Sequence, residues 1–212
     1  MNKKLLEGFF KENTVESDIP TAPALAHFYL ALESDPEAGE EIRAVMDEAI
    51  FDEQAGRQAE VLAERREIEA LATCEQVIRF MRRGTDPMNQ HILANKALVF
   101  EDEIVPELVR MLKTSMNDGF IETAIRILAK SNKDIADDLI EIFHDMRYPY
   151  AQAMALVVLG YKAGETRIPW LIEQYKKLKR LYPDESHCEG AYYALCEMDS
   201  RFYPAAGKVR KK

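Results

Sequence analysis

Two small groups of residues have the types that metal or acid–base chemistry needs. Glu141 and His144 form one Glu-x-x-His pair, a spacing that puts both side chains on the same side of a helix. Carboxylate-bridged dimetal centres use two such pairs and two further glutamates. The chain contains one pair, so we predict no dimetal site from it.

The second group lies in residues 184–189, whose sequence is DESHCE. It supplies carboxylates, a histidine and a thiol, but its spacing matches no common metal site. A helix start with small cysteines inside the helix explains this segment better, since Cys196 follows Cys188 by two turns. The residues with ligand chemistry are Asp184, Glu185, His187, Cys188 and Glu189.

The sequence contains no motif that indicates a catalytic nucleophile or a bound cofactor. A nucleophile at Cys188 or Cys74 would need a base close to it in space, and the four histidines are scattered along the chain. The phosphate-loop, dinucleotide, nucleophile-elbow and zinc-protease motifs are all missing. We therefore predict no catalytic residue, no cofactor and no metal, and we favour a protein that is not an enzyme.

The composition predicts a soluble helical protein. Of 212 residues, 47% are apolar and 31% are charged, while glycine and proline number nine each, too few for a fold rich in tight turns. Three cysteines without a Cys-x-x-Cys pair argue against a disulfide scaffold and a structural zinc site. The N-terminus does not have the form of a signal peptide, and the longest apolar run, 153–161, is too short to span a bilayer. We expect a cytoplasmic protein without membrane contact.

Charge is unevenly distributed along the chain. The net charge is −9, and residues 1–75 carry 18 acidic against 7 basic residues, whereas residues 76–212 carry 19 against 21. An acidic half repels phosphate backbones, which argues against a nucleic-acid partner. The acidity suits either plain solubility or an acidic docking face.

One pattern recurs along the second half of the chain. The segments EIVPELVRML (103–112) and TRIPWLIEQY (166–175) align on Leu108 and Leu171, and Leu139 lies between them at steps of 31 and 32 residues. In each copy, apolar residues fall at i, i+3, i+4 and i+7, the stripe of an amphipathic helix. A second pattern, Ala-x-x-x-Leu, begins at positions 94, 124, 155 and 191, and its small residue lets a neighbouring helix approach. The two patterns predict helix pairs at 89–100 with 103–116, 119–131 with 134–146 and 150–162 with 167–181, and a last helix at 186–198.

These segments resemble HEAT-like repeats of the short bacterial kind, over about residues 88–198. The middle copy departs from the pattern, because Asp137 stands where the other two copies have proline. The resemblance implies an all-α fold, an α-solenoid of antiparallel helix pairs, in which stacking buries the stripe that one pair leaves open. We therefore predict repeats over 86–198 and a flexible basic tail over 199–212.

Residues 1–85 are predicted to be a helical cap or a divergent set of helix pairs, since such ends cover the open edge of a solenoid. Within them we expect helices at 22–35, 37–51, 53–64 and 66–84, the last ending at Gly84.

The exposed face of the second helices is the predicted partner-binding surface. Helical repeats of this kind bind partners along that face. Trp170, the only tryptophan, falls in its polar column, where a tryptophan among charges is typical of a binding anchor. The alternative is that Trp170 packs against the last helix or an N-terminal segment. The predicted residues, called the second-helix strip from here on, are Glu107, Arg110, Asp138, Glu141, Asp145, Trp170, Glu173 and Lys177.

The leading hypothesis for function is a protein-interaction or scaffold module that binds a basic or apolar peptide on this strip. The resemblance leaves two alternatives open. One is a DNA-binding enzyme of the alkyl-base glycosylase type, with Trp170 and Asp138 in its aromatic and catalytic roles, although five acidic against two basic residues give the strip the wrong sign for DNA. The other is a lyase or chaperone for a tetrapyrrole cofactor, for which the sequence shows no pigment site. The oligomeric state stays open.

Overall fold

The computed structural model describes residues 2–15, 19–34, 44 and 55–204. Every regular element in these residues is helical and no β-strand occurs among them, so the predicted all-α class is confirmed. The α-helices are α1 (Asn2–Glu12), α2 (Ala22–Glu33), α3 (Ala55–Ala70), α4 (Cys74–Arg83), α5 (Gln90–Leu98), α6 (Glu101–Leu112), α7 (Asp118–Lys130), α8 (Ala136–Phe143), α9 (Pro149–Lys162), α10 (Ile168–Leu181) and α11 (Glu189–Phe202). Short 3-10 turns precede α5, α10 and α11, at Pro87–Asn89, Glu165–Arg167 and Ser186–Cys188.

The helices of the second half lie at the positions predicted from the repeat. All seven are present, as α5 to α11, with ends shifted by a few residues. α6 begins at Glu101 rather than at 103, so Pro106 lies inside the helix. α11 continues to Phe202, into the segment predicted as a tail, and residues 205–212 lie outside the described residues. The helix predicted at 37–51 also lies outside them, apart from residue 44.

The break between α3 and α4 comes later in the chain than the sequence pattern suggested. The predicted helices met at residue 65, whereas α3 continues to Ala70 and α4 begins at Cys74. Gln76 N donates a hydrogen bond to the Thr73 hydroxyl at 3.2 Å, and Ala72 N donates one to Gln76 Oε1 at 2.7 Å. This Thr-x-x-Gln arrangement is a variant of the capping box, and it is readable in the sequence as a helix start.

Contacts divide the chain into two compact units. The first contains Met1–His27 and Asp134–Lys212, and the second contains Phe28–Lys133. The first unit therefore holds α1 and α8 to α11, and the second holds α3 to α7. Helices from opposite ends of the sequence belong to one unit. The boundaries predicted after residues 85 and 198 stay predictions.

Three of the four aligned columns of the repeat are core positions in every copy, and in the fourth Ile140 is only half-buried. In the second unit, the stripe of α6 is buried at Val105, Leu108 and Leu112. In the first unit, the same columns are buried on α8 and α10. Their members are Ala136, Leu139, Phe143, Ile168, Leu171 and Tyr175. Each fully buried aliphatic or aromatic side chain contributes roughly 1.5–3 kcal/mol, so these columns stabilise both units.

In the first unit, α9 and α11 approach each other closely. Residues 153–160 of α9 are all buried. A Cβ atom on Gly190 would lie 2.7 Å from the carbonyl carbon of Ala153, and one on Gly160 would lie 2.7 Å from the Cα atom of Ala194. The two backbones can approach this closely only because Gly160 and Gly190 lack a side chain. The Ala-x-x-x-Leu pattern suggested the same role for alanine, and here glycine has it as well.

Candidate partner-binding surface

On α8 and α10 the second-helix strip faces solvent. Asp138 and Glu141 on α8 are exposed, and so are Glu173 and Lys177 on α10 and Asp145 just after α8. The opposite side of each helix carries the buried columns described above. Because the apolar stripe occupies one side of each helix, the polar strip is what remains for a partner to touch.

Trp170 is half-buried, and its neighbour is not one of those predicted for a packed tryptophan. Its ring lies against Phe143 of α8, with centroids 5.2 Å apart and an angle of 76° between the planes. His144 lies against the same phenylalanine at 5.4 Å. Phe143 is itself only 1% exposed. The tryptophan is thus held by the core at one side and open to water at the other.

Three carboxylates of the strip have no partner of opposite charge within the part of the chain that the structure describes. Asp138, Glu141 and Glu173 are exposed and form no salt bridge there. By contrast, Asp137 pairs with Arg167 at 2.5 Å. The two helices that hold Trp170 therefore present negative charge that no residue in the described part of the chain neutralises, and a cationic partner could do so.

In the other unit, the two members of the strip neutralise each other. Arg110 donates to both carboxylate oxygens of Glu107, at 2.9 Å through Nε and 2.5 Å through Nη2. The hydrogen bond lowers the pKa of Glu107 and raises the pKa of Arg110. A groove of about 410 Å3 opens beside Arg110, with Arg82, Thr114 and Phe120 among its lining residues. The charged surfaces of the two units are therefore different in kind.

Neither family models nor curated proteins match the sequence, and no solved structure matches the chain. The HEAT-like resemblance stays a prediction. Among the described residues, no helix is long and apolar enough to cross a membrane. No group of three or more His, Cys, Asp or Glu side chains in the same residues could hold a metal ion.

The cysteines have environments that disfavour nucleophilic chemistry. All three are free thiols. Burial raises the pKa of Cys74 and Cys188, and burial together with the charge of Asp199 raises the pKa of Cys196 to about 12. The thiolate is the reactive form, so at neutral pH these side chains are protonated and act as small apolar groups.

Sequence reasoning missed an aromatic cluster where α1 meets α10 and α11. The Phe9 ring lies 4.9 Å from Tyr175 and 6.0 Å from Tyr192, and the Phe10 ring lies 5.6 Å from Tyr192. Tyr175 is 2% exposed. The pairs Phe9-Phe10 and Tyr192-Tyr193 are visible in the sequence, but no local pattern indicates that α1 packs against helices at the other end of the chain.

Proposed function

We propose that this protein is a non-enzymatic interaction module, an α-solenoid of HEAT-like helix pairs that binds another protein on the second-helix strip. The regular alternation of α5 to α11 and the burial of three of the four aligned columns in every copy support the solenoid. The raised thiol pKa values and the lack of a catalytic motif favour binding over catalysis.

The observation that carries this proposal is the pairing of a held tryptophan with unpaired carboxylates on α8 and α10. Trp170 presents apolar surface in a fixed position, and Asp138, Glu141 and Glu173 lack cationic partners among the described residues. Interface tryptophans often contribute about 2 kcal/mol or more to binding, whereas exposed ion pairs contribute about 0–1 kcal/mol each. Trp170 therefore supplies the affinity, and the carboxylates select a basic segment and speed its association.

Trp170 is the only tryptophan of the chain, so its fluorescence reports directly on this surface. The protein is titrated with a basic amphipathic peptide and with a counterpart in which every lysine is replaced by glutamate. We expect the basic peptide alone to bind and to change the emission of Trp170. Salt should weaken binding, since the carboxylates act through solvent.

Substitutions separate the contribution of Trp170 to affinity from the contribution of the carboxylates to the association rate. Trp170→Ala, followed by calorimetry, should weaken binding of the basic peptide by about tenfold or more. The double variant Glu141→Gln/Glu173→Gln should reduce the association rate and its salt dependence. Asp137→Asn is the matched control, because Asp137 lies on the same helix but is already paired with Arg167. A peptide that binds Trp170→Ala as well as the intact protein would remove the strip from the proposal.

The natural partner is sought by affinity capture from a native lysate, comparing the intact protein with Trp170→Ala. A protein captured by the intact form and lost by the variant supports the proposal. Capture that is indifferent to Trp170 moves the site elsewhere, and binding of duplex DNA at low salt in place of a protein would contradict the proposal.

A further inference from the structure

α1 contacts the rest of the first unit through one narrow face. Leu6 is fully buried and Phe9 is 5% exposed, and this face packs on α10 and α11. The remaining sides of α1 are charged and exposed, at Lys3, Lys4, Glu7, Lys11 and Glu12. The helix is amphipathic, with the form of a peptide seated in a groove.

The groove itself is aromatic. Tyr175 on α10 and Tyr192 on α11 form its walls, and the Phe9 ring meets Tyr175 edge to face while the Phe10 ring meets Tyr192 in the same way. The ring centroids of Tyr175 and Tyr192 lie 6.5 Å from each other. Such aromatic contacts add specific geometry to the burial of apolar surface, so the groove selects aromatic residues at these positions of a helix.

Few polar contacts hold α1 in this groove. Asn2 Nδ2 donates to the backbone oxygen of Glu165 at 3.2 Å. None of the salt bridges among the described residues involves α1. The helix has 11 residues, and helices of this length are marginal in water when isolated, so α1 depends on the groove for its own structure. A helix with few buried side chains, such as α1 with two, opens more easily than α9, which has nine.

We propose that the groove between α10 and α11 is a binding site for an amphipathic helix of a partner protein. In the free protein, α1 occupies this groove. The partner helix displaces α1 and carries an aliphatic residue and two adjacent aromatic residues in the places of Leu6, Phe9 and Phe10. The chemistry of this partner is read from α1 itself. The groove is distinct from the second-helix strip, because Tyr175 lies on the buried side of α10 whereas Glu173 and Lys177 lie on its exposed side. The groove therefore stands whether or not the strip binds a partner.

The test uses the full chain and a synthetic peptide of residues 1–13, labelled at its C-terminus. The protein is compared in its intact form and as Leu6→Ala/Phe9→Ala, in which the covering helix loses its anchors. A tethered competitor acts at a high effective concentration, so the variant should bind the peptide at least about tenfold tighter than the intact chain. The matched control is the same peptide with Phe9→Ala, which should bind neither protein measurably. Adding Tyr192→Ala to the variant should abolish the gain. Equal affinity of the peptide for intact protein and variant would overturn the proposal.

A second measurement keeps the proposal testable where the double variant fails to fold. Hydrogen exchange of the intact protein reports local opening of each helix. We expect amides of α1 to exchange at least about a hundredfold faster than those of α9, and excess unlabelled peptide to leave the exchange of α9 unchanged. Protection of α1 equal to that of α9 would show that α1 opens only with the whole unit, which would overturn the proposal.

Discussion

Trp170 and Phe143 meet edge to face across α10 and α8, with ring centroids 5.2 Å apart and planes at 76°. Phe143 is 1% exposed, so this neighbour belongs to the core, while Trp170 keeps part of its ring in water. A side chain held in this way loses little rotamer freedom when a partner arrives, which lowers the entropic cost of binding. The relationship ties the stability of the first unit to the geometry of its candidate binding surface.

Removing the Phe143 ring should therefore affect both the stability of the first unit and the surroundings of Trp170. We expect Phe143→Ala to lower the free energy of unfolding by about 3–5 kcal/mol, because a large buried ring leaves a cavity, and to shift the emission of Trp170 to longer wavelength. Urea unfolding followed by fluorescence measures both effects. Met116→Ala is the control, since Met116 is 74% exposed and its loss should change stability by less than about 0.5 kcal/mol. An unchanged emission maximum in Phe143→Ala would contradict the contact.

The close approach of α9 and α11 predicts a strong effect of a single methyl group. Gly190→Ala should destabilise the protein by about 1–3 kcal/mol or more, because the added Cβ would lie 2.7 Å from the carbonyl carbon of Ala153 and backbone atoms must move. Gly8→Ala is the matched control in a helix with nothing within 4 Å, and it should stabilise by about 0.5–1 kcal/mol. Thermal unfolding distinguishes the two variants, and an unchanged or raised Tm in Gly190→Ala would contradict the close approach of α9 and α11.

Arg201 closes the C-terminal end of α9. Its Nη1 donates to the backbone oxygen of Gly160 at 2.5 Å and to that of Ala163 at 3.3 Å, where the helix leaves carbonyl groups without partners. Charge-assisted hydrogen bonds of this kind contribute about 1.5–3 kcal/mol, so Arg201→Ala should lower the free energy of unfolding by an amount in that range. Denaturant unfolding measures the loss. Arg79→Ala, which breaks an exposed pair with Glu75, should cost about 0–1 kcal/mol, and an equally small cost for Arg201→Ala would sink the assignment.

Cys196 makes stability depend on alkaline pH. Its pKa is raised to about 12 in the folded chain, first by burial and then by the charge of Asp199, so the folded state holds the proton more tightly than the unfolded state. The stability linked to this proton is fully present below the unfolded thiol pKa of about 8.5 and is lost as pH rises from there towards 12. We expect the free energy of unfolding to fall between pH 8.5 and 10.5, and to fall less steeply in Cys196→Ala. Identical pH profiles for the two proteins would contradict this role.

The sequence predicted the helices of the second half well because their signal is local. An apolar residue at i, i+3, i+4 and i+7 places Leu108, Leu139 and Leu171 in the core through the geometry of one helix, without reference to its neighbours. The same geometry predicted that Glu141 and Glu173 face water. The start of α4 is also locally encoded, by Thr73 and Gln76, but the residues on either side of this cap favour helix, so the pattern predicted one continuous helix over 66–84.

Only the tertiary structure shows which distant parts of the chain contact each other. In the sequence, Trp170 stands among charged residues, which is typical of a binding anchor on the surface. Its position against Phe143 follows from how α8 and α10 pack. The docking of Phe9 against Tyr175 and Tyr192 joins residues at opposite ends of the chain, and no periodic pattern specifies such a pairing. Local periodicity determines which side of a helix is apolar, whereas the shapes of side chains that meet after folding determine which helix covers it.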